Sequence, residues 1–136
     1  MTLKSFRSWL EAYGRAWESR DSESAASLYA DDATYQVTPF LEPIRNRASI
    51  REYWANVAAT ETKIQFEFEI LAVQKDFGLA HWRTSFVRAP SKKMELDGIF
   101  LISLDGDGRC RELREWWQKR ETELPGASAR FARQDR

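Results

Sequence analysis

Apolar residues near the start of the chain recur at Leu3, Phe6, Leu10, Tyr13 and Trp17. The alternating steps of three and four place them on one stripe of an amphipathic helix spanning 3–20. "SRDSES" interrupts the pattern, and Asp21 or Ser22 suits the N-cap of a short second helix over Ser24–Tyr29. "DDATYQVTP" reads as a short strand stopped by Pro39, which has no N–H to give to a ladder. "FLEPIRN" is a loop, after which Asn46 caps a third helix, "RASIREYWANVAA", with Ile50, Tyr53, Trp54 and Val57 on its buried face.

Beyond Thr62 the helical period gives way to alternation. Ile64, Phe66, Phe68 and Ile70 alternate with Gln65, Glu67 and Glu69, a strand with one buried side. The phase inverts at Leu71 and Val73, which predicts a β-bulge or a sharp bend. "DFG" turns the chain into a strand over Leu79–Arg88, "APSKK" turns it again, and Met94–Leu104 forms the next strand. "DGDG" at 105–108 is a hairpin turn, since glycine adopts positive φ without steric cost.

The segment "ELREWW" after that turn fits a helix about as well as a strand. A tight hairpin following a strand predicts an antiparallel partner, so Cys110–Lys119 is read as the last strand. Trp116 and Trp117 then point to opposite faces. Residues 1–122 form one domain, and 123–136 are a loose polar tail with Phe131 docked locally. The predicted class is α+β: a strongly curved antiparallel sheet with three helices against one side, enclosing an interior.

Composition narrows the function. The 136 residues suit one domain with a real core, and 21 basic side chains balance 21 acidic ones. That balance gives no general attraction to nucleic acid or to an anionic membrane. No apolar run is long enough for a membrane helix, and the N-terminus lacks a signal-peptide pattern. With one cysteine, Cys110, no intrachain disulfide forms, and the cytoplasm is the expected compartment. Six tryptophans point to a large core, an interface or a pocket.

Motifs for metal, nucleotide and serine chemistry are missing. One histidine and one cysteine do not make a zinc site. "DGDGR" puts Arg109 and Trp116 where a calcium loop needs oxygen ligands. There is no GxGxxG, P-loop or GxSxG, so no cofactor and no metal are expected.

Three segments, "YGRAWESRDSESAASLYADDATY", "RASIREYW" and "LDGIFLISLDGDGRCRELREWW", resemble the nuclear transport factor 2-like superfamily and, within it, the SnoaL-like proteins. Their order and spacing cover nearly all of 3–121. The resemblance implies a cone-shaped α+β barrel with a ligand-sized cavity, and a homodimer through the outer sheet face. The family hosts isomerases, dehydratases, epoxide hydrolases, polyketide cyclases and non-catalytic binding or assembly modules, so fold alone does not select an activity. Laid against its ketosteroid-isomerase branch, Leu113, Glu115 and Trp117 face the cavity, and Arg114 and Trp116 face a partner subunit. Tyr13 falls on that branch's catalytic tyrosine, and Val37 stands where its general base is an aspartate. Its second aspartate falls near Phe100, with Asp97 as the alternative.

The candidate catalytic residues are thus Tyr13, Glu115 and Asp97. Tyr13 is a donor to a ligand oxygen or a core-edge residue of its helical stripe. Glu115 is either a desolvated acid/base or one half of a salt bridge with Arg83, Arg111 or Arg114. Asp97, before Gly98, is a pocket acid or the marker of a bulge. Trp17, Trp54, Trp82, Phe86, Phe100 and Trp117 line a ligand pocket or simply fill a core. His81 and Arg83 are read as facing outward, with a structural role for the histidine. The expected function is binding of a small apolar or aromatic metabolite, with cofactor-independent isomerisation, dehydration or cyclisation as its catalytic form. The alternative is a non-catalytic dimeric ligand-binding or protein-assembly module.

Overall fold

The computed structural model describes residues 1–125; the expected docking of Phe131 and most of the tail lie outside them. Helix α1 (Leu3–Glu18) opens with a capping box, in which Thr2 accepts from the Ser5 N–H at 3.0 Å and Ser5 returns the contact. Its stripe of Phe6, Leu10, Tyr13 and Trp17 is buried, while Leu3 stays exposed. Trp9, off that stripe, is also buried and donates its indole N–H to Leu28 O at 2.9 Å. That bond ties α1 to the end of α2 (Ser22–Ser27), which Asp21 caps. Helix α2 is shifted from its predicted span because Tyr29 is drawn into a strand, where it pairs with Cys110. Asn46 caps α3 (Arg47–Thr60), which buries Ile50 and Trp54.

The strands are β1 (Tyr29–Gln36), β2 (Ile44–Arg45), β3 (Glu61–Val73), β4 (Gly78–Arg88), β5 (Lys92–Leu104) and β6 (Cys110–Glu123). They form one sheet in the order β2-β1-β6-β5-β4-β3. Two features depart from the sequence reading. The "FLEPIRN" loop contributes the two-residue strand β2, and β1 joins β6 in parallel, so the sheet is mostly rather than wholly antiparallel. Both depend on long-range pairing that no local pattern encodes. The inverted phase after Ile70 matches a register shift between Ile70 and Ala72. Strand β6 continues past the predicted Lys119, and beyond it Leu124 N–H donates to Ser91 O at 2.9 Å.

The three helices pack on one sheet face, and the core lies between. Trp82 stacks on Phe100 with centroids 4.9 Å apart, and Tyr13 meets Phe100, Phe66 and Trp54 edge to face. Each large side chain so buried contributes roughly 1.5–3 kcal/mol.

Gly98 is not at a bulge. The ladder runs through it without a break, pairing Trp82 on one side and Trp117 on the other. A Cβ there would lie 2.5 Å from Trp116 O and 2.7 Å from Trp117 Cβ. Since backbone cannot yield as a side-chain tip can, Gly98→Ala should lower unfolding free energy by about 1–3 kcal/mol in urea titrations. An unchanged denaturation midpoint would show that the strands have room to part.

Candidate functional site

The strands that face the helices set the site. Along β6, Leu113, Glu115, Trp117 and Lys119 point inward, and Arg114, Trp116 and Gln118 point outward. Trp116 is exposed, with the Arg114 guanidinium over its ring at 4.9 Å. Trp117 turns inward and donates its indole N–H to Val37 O at 2.8 Å.

Between sheet and helices lies a cavity of about 110 Å³. Trp17, Trp54, Trp82, Phe86 and Trp117 line it, together with Tyr13. Phe100 stands behind this lining, in the core beneath Trp82. A cavity of roughly 150 Å³ holds one benzene ring, so the enclosed space suits about a single ring.

Glu115 is 4% exposed in this aromatic setting, and its Oε1 accepts from Tyr35 Oη at 2.6 Å. Burial raises its carboxyl to about 8, although the Tyr35 hydrogen bond pulls the other way. At neutral pH it is therefore predominantly the neutral acid. Its Oε2 has no hydrogen-bond partner among the described residues and, once protonated, is a donor with nothing to donate to. Tyr13, Tyr35 and Tyr53 surround the carboxyl, and their hydroxyls are held well above the usual phenol range by burial and then by Glu115.

A second carboxyl, Glu61, reaches the same cavity. It is 5% exposed and accepts the Trp17 indole N–H at 2.9 Å through Oε1. Arg88 Nη2 stands 4.0 Å from its Oε2, and the same guanidinium lies over Phe86 at 5.6 Å. Burial raises the Glu61 carboxyl, while Trp17 and Arg88 hold it down.

Asp97 lies outside. It is on the sheet face away from the helices, where it accepts from His81 Nε2 at 2.8 Å and from Arg83 Nε at 2.9 Å. His81 Nδ1 meets Glu69 at 3.1 Å. The His81 hydrogen bond keeps the Asp97 carboxyl low, and the two carboxylates keep the imidazole raised. The pocket role for Asp97 is corrected by strand parity: Leu96 and Gly98 face the interior, so Asp97 cannot. This outer face carries a wider open groove of about 570 Å³, walled by Arg83, Glu95, Asp97 and Arg120. Its charges are solvated and paired, whereas the smaller cavity holds desolvated acids, which makes the cavity the candidate site. Among the described residues no group of three or more His, Cys, Asp or Glu is placed to hold a metal ion, and no helix is long and apolar enough to cross a membrane.

Sequence reasoning gave no site role to Tyr35, Glu61 or Arg88, and read Tyr53 only as part of the buried face of α3. Tyr35 was within reach, because it shares parity with Ala33 and Val37. Glu61 was not. Counting back from Ile64 and Phe66 points it outward, but Lys63 at φ 53° and a register shift between Thr62 and Gln65 reverse the parity.

The buried acid has a thermodynamic signature. The unfolded Glu115 carboxyl ionises near its usual value while the folded one keeps its proton, so the native state binds more protons and stability falls as pH rises. The loss runs from about 4.5 to about 8, at up to roughly 1.4 kcal/mol per unit. Glu115→Gln should flatten that part of the profile in urea melts across the range. A variant profile as steep as the wild type's would mean that Glu115 titrates normally.

Comparison with known proteins agrees with the architecture. A SnoaL-like domain model matches residues 10–113. The chain is 30% identical over 95 residues to a steroid Δ-isomerase of Nocardioides simplex, covering 68% of this chain and 72% of that protein. Among solved structures it resembles the epoxide hydrolase/cyclase-like enzyme SalBIII, which acts in pyran ring formation in polyether salinomycin. That likeness has a TM-score of 0.73 at 14% identity, covering 82% of this chain and 89% of that one. It also resembles a computationally designed 17-OHP binder, with a TM-score of 0.75 at 16% identity, covering 85% and 96%. With the family model spanning most of the chain and the fold matching its structural relatives, this protein belongs to the SnoaL-like domain family of the nuclear transport factor 2-like superfamily.

Proposed function

We propose that the chain binds a small, flat, apolar molecule through a carbonyl oxygen, and that Glu115 polarises that oxygen as a neutral acid. The observation that carries this reading is a fully buried carboxyl, raised to about 8, with one free oxygen in an aromatic cavity. Tyr13 and Tyr35 complete the polar end; a preorganised donor of this kind stabilises a developing enolate far more in a dry site than in water. Two cavity tryptophans, Trp54 and Trp82, also keep buried indole N–H groups without a partner among the described residues. Each such group costs about 1–3 kcal/mol until an acceptor arrives.

The relatives support the ligand class. One is named a steroid isomerase, one a cyclase-like enzyme, and one binds 17-OHP. Here the enclosed volume fits one ring, so a larger ligand would extend past the mouth at Arg88 and Lys119. Asp97 has no part in this reading. The reaction class is cofactor-independent proton transfer next to a carbonyl, as in isomerisation, dehydration or cyclisation. The alternative, a non-catalytic binding or assembly module, keeps the same cavity without turnover. The cytoplasm remains the proposed compartment.

A cyclohexenone, followed by quenching of tryptophan fluorescence, tests the site. Wild-type affinity should fall as pH rises through about 8, because ionised Glu115 no longer donates. Glu115→Gln, whose amide still donates, should bind with no such dependence, and Glu115→Leu should lose about tenfold. Affinity that ignores both pH and the Leu substitution would overturn the proposal.

The outer face is proposed as the surface for self-association, through His81, Arg83, Arg114 and Trp116. Trp116 is 40% exposed and pairs across the ladder with Ile99, an apolar strip within a charged face. Sedimentation velocity should show a dimer for the wild type and a monomer for Trp116→Glu. A wild-type monomer at about 100 μM would remove this surface from the reading.

A further inference from the structure

We propose that the mouth of this cavity is an anion subsite, in which Arg88 and Lys119 hold the carboxylate of a ring acid whose flat ring lies inside. The inference rests on the binding reading above for the place of the ring. To that reading it adds the chemical class of the ligand: a cyclic or aromatic acid with its carboxylate on a short spacer.

The inward rows of the sheet change character along their length. On β4 the row runs Trp82, Thr84, Phe86 and then Arg88, and on β6 it runs Glu115, Trp117 and then Lys119. Each row is apolar or desolvated under the helices and ends in a cation at the mouth. Both cations line the cavity, and their side chains are 45% and 54% exposed, so each meets the enclosed space and the solvent.

Neither cation is fully engaged by the fold. Arg88 donates no hydrogen bond to a described residue. Its guanidinium lies over Phe86 at 5.6 Å, and Glu61 Oε2, at 4.0 Å, is beyond hydrogen-bond reach. Burial, the largest influence on Glu61, raises that carboxyl towards its neutral form, which weakens it as a counter-ion. Lys119 meets Glu121 at 3.1 Å, but Glu121 also faces Lys92 at 3.6 Å, so one carboxylate serves two ammonium groups. Glu115, the other acid of the cavity, is raised to about 8. The lining thus sets two cations at the mouth against two carboxyls that burial drives towards the uncharged state.

A guanidinium with free N–H groups matches a carboxylate in two-point geometry, and an ammonium at the same mouth adds a point charge. A neutral ring molecule leaves these donors to water, whereas a ring acid uses them. A ligand carboxylate on Arg88 would also repel any charge on Glu61, and a carboxyl already raised answers by taking a proton.

Phenylacetate and 3-phenylpropionate are the probes, each against its own amide, with binding read by quenching of tryptophan fluorescence at neutral pH. The amides resemble the acids in shape and lack the charge. At least one acid should bind about tenfold more tightly than its amide, and that ratio should shrink as salt is added. A ratio cancels any general change in the ring site. Arg88→Gln should bring it close to one, Arg88→Lys should keep part of it, and Lys119→Gln should lower it by a smaller factor. Arg120→Gln, on the outer groove, should leave it unchanged. Acids and amides that bind the wild type equally would overturn the subsite and leave the ring reading intact. So would a ratio that survives in the Arg88→Gln, Lys119→Gln double variant, or one that Arg120→Gln abolishes. The subsite also falls if no probe binds while the cyclohexenone does. Cyclohexenone binding that ignores Glu115 would fail the earlier reading itself.

Discussion

The alternation of side chains along β4, β5 and β6 is the constraint on which the other placements depend. Each residue of these strands faces either the helices or the outer surface, and a slip of one position would exchange the two sets. Trp117 and Glu115 would then leave the interior, and Trp116 and Arg114 would enter it. Continuous pairing from Lys92 to Ser103 against β6 prevents the slip. Gly98 tightens that ladder, because only a residue without a side chain lets β5 pass so close to Trp117. The two neighbouring tryptophans therefore do unrelated work: one closes the cavity, and the other rests under Arg114 on the outer face.

Given that frame, the interior is chemically uneven. Most of it is interlocking aromatic packing, which stabilises the fold and excludes water. Into this packing the chain inserts Glu115 and Glu61, two groups that destabilise the folded state when charged. Hydrogen bonds from Tyr35 and Trp17 recover part of the desolvation cost, and neither carboxyl has a close ion pair. A core selected for stability alone would place apolar groups at both positions. Two desolvated acids in one cavity are what make it the candidate site.

The outer face follows different physics. Its charges form ladders, Glu69–His81–Asp97–Arg83 and Glu95–Arg120, at hydrogen-bond distances. Exposed pairs of this kind contribute about 0–1 kcal/mol each and are screened by salt. They set the character of a surface more than they hold the fold.

Sequence alone determined the elements whose signals are local. Apolar spacing marked α1 and α3, Asp21 and Asn46 marked the starts of α2 and α3, and "DGDG" converted an ambiguous "ELREWW" into a strand. Strand parity then placed Glu115 and Trp117 inside. The inversion after Ile70 announced its own bulge. What tertiary structure decided were the features set by distant partners. The pairing of β1 with β6 is parallel, β2 exists only because β1 is beside it, and Asp97 meets His81 and Arg83 of the adjacent strand β4. Glu61 is the clearest case. A left-handed Lys63 and a shifted register turn it inward, against its own alternation, and only folding brings it to the same cavity as Glu115. Periodicity is a property of neighbours along the chain, whereas the desolvation that raises these carboxyls comes from aromatic rings supplied by distant segments.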